Sequence, residues 1–333
     1  MSIPVLSFFN NKGGVGKTSL VYHLSWMFAE RGLRVLAVDL DPQANLTAAF
    51  LDEDRLAALW GNSAGVSTIF KSVEPLLDVG DFAPVELQTL DPRLALIPGD
   101  LGLSSFEDEL SSEWTRVLDE KKKARPFRIL TAFWRSAQES AQRFDADLIV
   151  FDVGPNLGAI NRAALLASNH VVVPLGADLF SLQGLRNLGP TLRDWRGGWE
   201  SRKQAWSQPE FDLPAGDMRP VGYVAMRHGV RLTRPVQAYT RWLDQIPGEF
   251  RRSVLDEASA VVPAIEHDPL CLAMLKNYNS LMPLGQEARK PIFFLKAADG
   301  AIGSHATAVA GAYADFRQLA GDIGKRIGLK DKP

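Results

Sequence analysis

Short apolar runs separated by amphipathic stretches set the rhythm of this chain. Val5-Leu6-Ser7-Phe8-Phe9 is followed by a stretch in which Leu20, Val21, Leu24, Met27 and Phe28 recur at helical spacing, and that stretch stops at Gly32. Residues 33–38 are again short and apolar. Further strand-like runs lie at 94–97, 148–151, 170–174, 221–225 and 292–295. Helical patterns occupy 128–143, 156–168, 181–195 and 233–246, and a last one covers 306–327. Strands this short, joined by helical crossovers, predict an α/β fold: a single domain over residues 1–333 with a mostly parallel, twisted sheet covered by helices on both faces. Ligands bind such sheets at the carboxyl ends of the strands. The chain has no internal repeat and no low-complexity segment.

Composition narrows the class. The 333 residues are 46% hydrophobic and 23% charged, enough for a substantial core. A net charge of −2 gives no global attraction to nucleic acid, so any such binding must come from a local patch. The one cysteine, Cys271, excludes an internal disulfide and a thiolate metal site, and its apolar neighbours point to a packed residue. The five histidines lack metal-ligand spacing. No charged leader precedes the first strand, and no apolar run approaches the roughly 18 residues of a membrane span. The expectation is a cytoplasmic protein.

Candidate chemistry begins between the first strand and the first helix. Residues 10–18 read Asn-Asn-Lys-Gly-Gly-Val-Gly-Lys-Thr. Strand, glycine turn and helix start form the setting of a phosphate-binding loop, in which backbone N–H groups and the positive helix end crowd round a polyphosphate. Lys17 would reach the β- and γ-phosphates, and the Thr18 hydroxyl would hold Mg²⁺. Two carboxylates, Asp39 and Asp41, follow the next strand in Val38-Asp39-Leu40-Asp41-Pro42-Gln43. Such a pair is awkward at the end of a buried strand unless it faces a metal, a water or a cation. A third motif, Leu148-Ile149-Val150-Phe151-Asp152, is an apolar strand ending in Asp, the Walker B arrangement that sets Asp152 near Mg²⁺.

An ordinary phosphate loop has glycine where this chain has Asn11, and a second lysine, Lys12, stands at the front of the turn. Lys-Gly-Gly-x-Gly-Lys-Thr is the deviant Walker A motif, and here the sequence resembles the ParA/MinD family of ATPases, partition-type ParA above all. The resemblance implies ATP with Mg²⁺, held in a homodimer that sandwiches two nucleotides, with Lys12 crossing to the partner's ATP. A cation supplied in this way stabilises charge on the transferring phosphoryl group. It implies that Asp41 positions the attacking water and that Asp39 supports the Mg²⁺ shell. The nucleotide-binding set is then Lys12, Gly13, Gly14, Val15, Gly16, Lys17, Thr18, Ser19 and, towards adenine, Met226. Thr18, Asp39 and Asp152 form the metal set.

Val171-Val172-Val173-Pro174 with Ser181–Leu185, and Val221–Met226, continue the resemblance, which covers residues 1–50 and 145–245. Asp152-Val153-Gly154-Pro155-Asn156 departs from the family's Asp-x-Pro-Pro-Ser at Gly154 and Asn156. Residues 51–126 match nothing in the family pattern and are expected to be an insertion after switch I. Iron–sulfur relatives need two cysteines per subunit, which this chain lacks.

The family implies non-specific DNA binding by the ATP dimer. Candidate contacts are Arg227, Arg231, Arg234, Lys276, Arg289 and Lys290, with Arg251 and Arg252 nearby. A ParB-like or adaptor protein would stimulate hydrolysis. The 186–206 stretch sets arginines among Trp195, Trp199 and Trp206; it suits nucleic acid, but the preferred reading is a solvated linker whose tryptophans cover the 51–126 segment. Lys121–Arg125 reads as a charged loop beside acidic residues. One alternative is a switch acting only through protein contacts, with 51–126 as docking surface. Another is membrane positioning through the tail, but residues 321–333 carry three glycine-interrupted aliphatics and make a feeble anchor, so no stable membrane association is expected.

Overall fold

The computed structural model describes all residues except 1, 62–64, 120–122, 227–235, 258–260, 277, 279, 331 and 333. Eight strands form one sheet: β1 (Val5–Phe8), β2 (Val35–Asp39), β3 (Gln88–Asp91), β4 (Leu94–Ile97), β5 (Leu148–Asp152), β6 (His170–Gly176), β7 (Arg219–Met226) and β8 (Cys271–Leu275). Their order across the sheet is β3-β4-β2-β5-β1-β6-β7-β8. Every neighbouring pair is parallel except β3–β4. The chain first leaves β1 for β2 on one side and later builds β6 on the other. A crevice therefore opens at the carboxyl end of β1, where the glycine loop lies.

Alternate residues of the inner strands enter opposite core layers. Leu36, Val38, Ile149 and Phe151 belong to one, and Val35, Ala37, Leu148 and Val150 to the other. Burial on both faces is why these strands read as continuous apolar runs. The helices, in chain order, are α1 (Lys17–Glu30), α2 (Asn45–Phe50), α3 (Glu53–Trp60), α4 (Ile69–Val73), α5 (Phe106–Asp119), α6 (Ala124–Leu130), α7 (Ala132–Phe144), α8 (Ala159–Leu166), α9 (Leu179–Gln204), α10 (Val236–Glu249), α11 (Met282–Ala288) and α12 (Ser304–Arg326). α1, α2 and α12 close one face, through residues such as Leu24, Leu46 and Phe316. α4 to α10 close the other, through Val73, Phe106, Phe127, Phe133, Ala164, Leu185 and Ile246.

Several expectations shift. The apolar run at 292–295 is not a strand: Ile292–Phe294 forms a 3₁₀ turn after Pro291. Its rings pack instead, with Phe293 5.5 Å from Phe316 and 5.8 Å from His23 between centroids. The edge strand is β8, which includes Cys271. Periodicity alone does not separate a short buried strand from a buried turn. The helix expected over 128–143 is two helices, broken at Thr131, which leaves helical geometry at φ −107°. α9 passes through Pro190 and continues nine residues beyond the expected end at 195, through Gly197 and Gly198, so the stretch expected as a solvated linker is helical up to Gln204.

Residues 51–126 supply β3 and β4 to the central sheet. β4 runs parallel beside β2, and Phe106, Leu110 and Val117 enter the main core. The far half of α9 does cover this segment. Trp199 is fully buried, stacks on Trp114 at 6.5 Å and donates its indole N–H to Pro214 O. The Arg202 guanidinium lies 3.6 Å from the Trp114 ring centroid. The tail is folded back: Ile323 is buried in α12, and Lys332 pairs with Asp147 at 2.6 Å. Among the described residues no helix is long and apolar enough to cross a membrane.

α9 approaches the π-helical turn Phe250–Leu255 at Gly189, where a Cβ would meet Ser253 O at 1.6 Å. Gly189→Ala should therefore cost about 3 kcal/mol through overpacking against backbone. Urea denaturation checks this, and an unchanged midpoint would show that the two elements separate freely.

Candidate nucleotide-binding site

The loop after β1 folds as its glycines dictate. Gly14 and Gly16 have φ of +72° and +82°, a region that L side chains rarely adopt. Gly16 is the N-cap of α1 and offers no side-chain cap, and the first turn of α1 carries no acidic residue. The orphan amides and positive end of α1 are left facing the crevice, as an anion requires. Lys17 is buried, and its Nζ donates to Asn10 O at 3.2 Å and Lys12 O at 3.3 Å. Burial lowers its pKa, while Asp152 and Asp41 pull the other way. Asn10 ties the loop to β6 by donating to Pro174 O at 2.7 Å and accepting from Lys12 N at 3.0 Å.

Asp39 and Asp152 face each other as register partners at the ends of β2 and β5, and both are fully buried. Asp39 Oδ2 accepts from the Thr47 hydroxyl (2.7 Å) and amide (2.8 Å), and its Oδ1 accepts from Asp41 N (3.2 Å). Both Asp39 oxygens are thus held by the chain itself. Neither oxygen of Asp152 has a hydrogen-bond partner among the described residues. Burial, then the Thr47 bonds opposing it, leave the Asp39 pKa raised to about 7. Burial followed by the Asp39 charge pushes Asp152 well above the carboxylate range. The Thr18 hydroxyl opposes this from beyond hydrogen-bond geometry. Asp41 is almost buried behind Gly154, where a Cβ would lie 3.4 Å from Asp41 Oδ1.

An orphaned, buried carboxylate beside a second one fits a hard divalent cation such as Mg²⁺, with Asp152 and Thr18 as the available donors. Among the described residues no group of three or more His, Cys, Asp or Glu holds a metal unaided. Mg²⁺ in such a site takes its remaining oxygens from phosphates and water. Asp39, expected in the metal set, has both oxygens engaged by Thr47 and the Asp41 amide.

Lys12 lies at the rim. Its Nζ pairs with Asp178 Oδ2 at 2.5 Å, and Asp178 Oδ1 caps α9 by accepting from Ser181 N at 2.9 Å. Burial tends to raise the Asp178 pKa, but the Lys12 and Ser181 bonds outweigh it and lower the value. Leu179 and Phe180, next to Asp178, stand exposed at this corner, Phe180 at 72% and 5.9 Å from Lys12 Nζ. Beyond the loop, a cavity of about 180 Å³ is lined by Gly14, Gly16, Met226, Leu275 and Tyr278, suited to a base. A Cβ on Gly16 would meet Met226 Cε at 3.0 Å, so the Met226 side chain lies against the loop. A larger cavity of about 470 Å³ flanks Thr18 and Ser19 between α1, α2 and α11.

The expected DNA contacts are scattered. Arg227, Arg231 and Arg234 lie outside the described residues. Lys276 is 70% exposed beside the base cavity, 4.0 Å from Asp315. Arg289 donates to the carbonyls of Ala48 and Leu51 at the end of α2, and Lys290 pairs with Asp299 at 2.7 Å. Arg251 is buried against Asp268 at 2.5 Å and takes no part in the surface. Sequence reasoning missed Asn10, Thr47 and Asp178. Thr47 had a signal, because a buried Asp needs donors, but its partner's position depends on the fold.

These features define a phosphate-loop nucleotide site on a doubly wound sheet. The family described as "AAA domain" matches residues 3–200, and the chain belongs to it, among the ParA/MinD-type ATPases. IncC of Escherichia coli is 34% identical over 76% of this chain and 61% of its own length. The sporulation initiation inhibitor Soj of Bacillus subtilis is 31% identical over 57% and 64%. The chain spans about three fifths of the length of such curated relatives. In fold it is similar to a Corynebacterium diphtheriae protein at TM-score 0.67, with 24% identity, covering 97% and 98% of the two chains. It is also similar to the ATP complex of Cyanothece McdA at TM-score 0.63, with 14% identity, covering 100% and 99%.

The raised carboxylates fix a pH dependence. Asp39 and Asp152 keep protons in the folded state that the unfolded chain has already released above its ordinary carboxylate pKa. Between about pH 4 and 7 the native state binds more protons, so without divalent cation stability falls as pH rises through that window. Asp152→Asn should flatten this fall and raise the melting temperature in EDTA. Melting curves from pH 5 to 8 check it, and a wild type whose stability rises throughout would refute the assignment.

Proposed function

We propose that this chain is a partition-type ATPase that binds Mg-ATP, pairs with a second copy in that state, and is reset by hydrolysis. The observation that carries the reading is Asp152, buried and unpartnered beside a glycine loop whose amides and Lys17 face the same crevice. Mg²⁺, when bound, neutralises phosphate charge beside Asp152 and Thr18. The chain's own residues do the rest. Amides 13–18 and Lys17 hold the phosphates, and Asp41 orients the attacking water from behind Gly154. Lys12, released from Asp178, reaches the nucleotide of the second copy across the corner bearing Leu179 and Phe180. In its ATP state the dimer binds DNA without sequence preference, and a ParB-like or adaptor protein accelerates hydrolysis. Relatives named IncC, Soj and, in Caulobacter vibrioides, chromosome partitioning protein ParA support this.

A second reading, a switch working through protein contacts alone, is favoured by one observation. Arg289, Lys290 and Arg251 are engaged within the chain, which thins the cationic surface.

Lys17→Ala should abolish ATP binding, and undiminished affinity in equilibrium binding would refute the loop assignment. Asp41→Ala should bind ATP, hydrolyse it at least about a hundredfold more slowly and accumulate as a dimer by light scattering. Full turnover by that variant would move the water-orienting role elsewhere. The same trapped dimer should bind random duplex DNA with Mg-ATP and not Mg-ADP, with affinity falling steeply in salt. A confirmed dimer that ignores DNA selects the protein-contact reading.

A further inference from the structure

We propose that the stretch from Gly99 to Glu107 braces the two loops flanking the nucleotide site, and that Glu107 is a positioning residue for ATP hydrolysis. The inference rests on the ATPase reading above. Both ends of the brace are anchored. At one end the Gly99 amide donates to Thr47 Oγ1 at 2.7 Å, and Thr47 in turn holds Asp39 Oδ2 through its hydroxyl and amide. At the other end Glu107, in the first turn of α5, reaches across to α8. Its Oε1 accepts from Ala159 N at 2.5 Å, and its Oε2 accepts from Ile160 N at 2.8 Å.

α8 has no cap of its own. Its N-cap residue, Gly158, makes no side-chain bond, and its first turn holds no acidic residue. The orphan amides and positive end of the helix are served by a carboxylate from a distant helix, in charge-assisted bonds. Gly158 lets that carboxylate close in, since a Cβ there would lie 2.5 Å from Glu107 Oε1. The same first turn carries Asn161, which is buried. Its Nδ2 donates to Gly154 O (2.9 Å), Asn156 O (2.7 Å) and Asn156 Oδ1 (2.9 Å). Gly154 neighbours Asp41: a Cβ built on it would lie 3.4 Å from Asp41 Oδ1. Contacts therefore run from Glu107 through the first turn of α8 and Asn161 to the wall behind Asp41. Glu107, bound to the Ala159 and Ile160 amides, acts through that wall. The 51–126 segment thereby reaches both loops, Asp39 through Gly99 and the Gly154–Asn156 turn through Glu107.

The test compares Glu107→Ala and Glu107→Gln in the full chain, reading kcat, KM for Mg-ATP, melting temperature and amide exchange over residues 154–162. Glu107→Ala should lower kcat about tenfold and leave KM within about twofold, because the phosphate loop is untouched. The amides of Ala159 and Ile160 should lose protection. Glu107→Gln keeps the side-chain volume and one acceptor oxygen, and should recover part of kcat and of that protection. An unchanged kcat in well-folded Glu107→Ala overturns the proposal. So does a loss of kcat that tracks melting temperature with Glu107→Gln no better than Glu107→Ala, which is the mark of general destabilisation. Should Glu107→Ala fail to fold, Glu107→Gln decides: a reduced kcat at wild-type KM supports the brace, and wild-type kcat overturns it. If the wild type turns over no ATP, the ATPase reading fails and exchange alone judges the brace, with unchanged protection over 154–162 overturning it.

Discussion

The structure turns on two carboxylates buried side by side at the ends of neighbouring strands. Asp39 and Asp152 are register partners, fully removed from water, with Asp41 close by and Lys17 as the facing cation. Burying one ionised carboxylate is costly, and a second beside it raises the cost again. The chain meets part of that cost internally, since Thr47 and the Asp41 amide occupy both oxygens of Asp39. It leaves Asp152 without a hydrogen-bond partner among the described residues. The site is therefore arranged to be completed from outside, by a divalent cation and the phosphates that accompany it.

Other features follow from this arrangement. The glycine loop exposes amides and an uncapped helix end to the same crevice, so positive potential from α1 faces negative potential from β2 and β5. A ligand that carries both signs, phosphate with its metal, satisfies both walls. Lys12 stands apart from this centre, paired with Asp178 beside the exposed Phe180. The turn after β2 is strained as well. Ala44 opens α2 at φ +51°, a left-handed conformation that costs a non-glycine residue about 1–2 kcal/mol.

The phosphate loop and the two aspartate-bearing strands were legible in the sequence because each is local. A glycine run, an apolar strand ending in Asp, and their spacing need no tertiary knowledge. The fold class was legible too, since strands buried on both faces read as unbroken apolar runs. What escaped depends on distant pairing. Asp178 meets Lys12 across 166 residues, and Glu107 meets Ala159 across 52. Nothing in either neighbourhood marks the partner. β3 was missed because an edge strand such as Gln-Thr-Leu-Asp needs no apolar signature. The 292–295 run was misread because its aromatics look the same whether they pair in a sheet or pack on α12. The 51–126 segment, expected to be an insertion, lies inside the family match over residues 3–200 and holds both β3 and the brace that runs through Gly99 and Glu107.

The central claim is that the buried carboxylates hold protons until a cation and phosphates replace them. Titration calorimetry of preformed Mg-ATP into the wild-type chain at pH 6.5, in buffers of different ionisation enthalpy, measures this as protons exchanged on binding. With Asp39 raised to about 7 and Asp152 also raised, the account predicts net proton release, abolished when EDTA removes the metal. Binding that releases no protons, or that is indifferent to Mg²⁺, would contradict it.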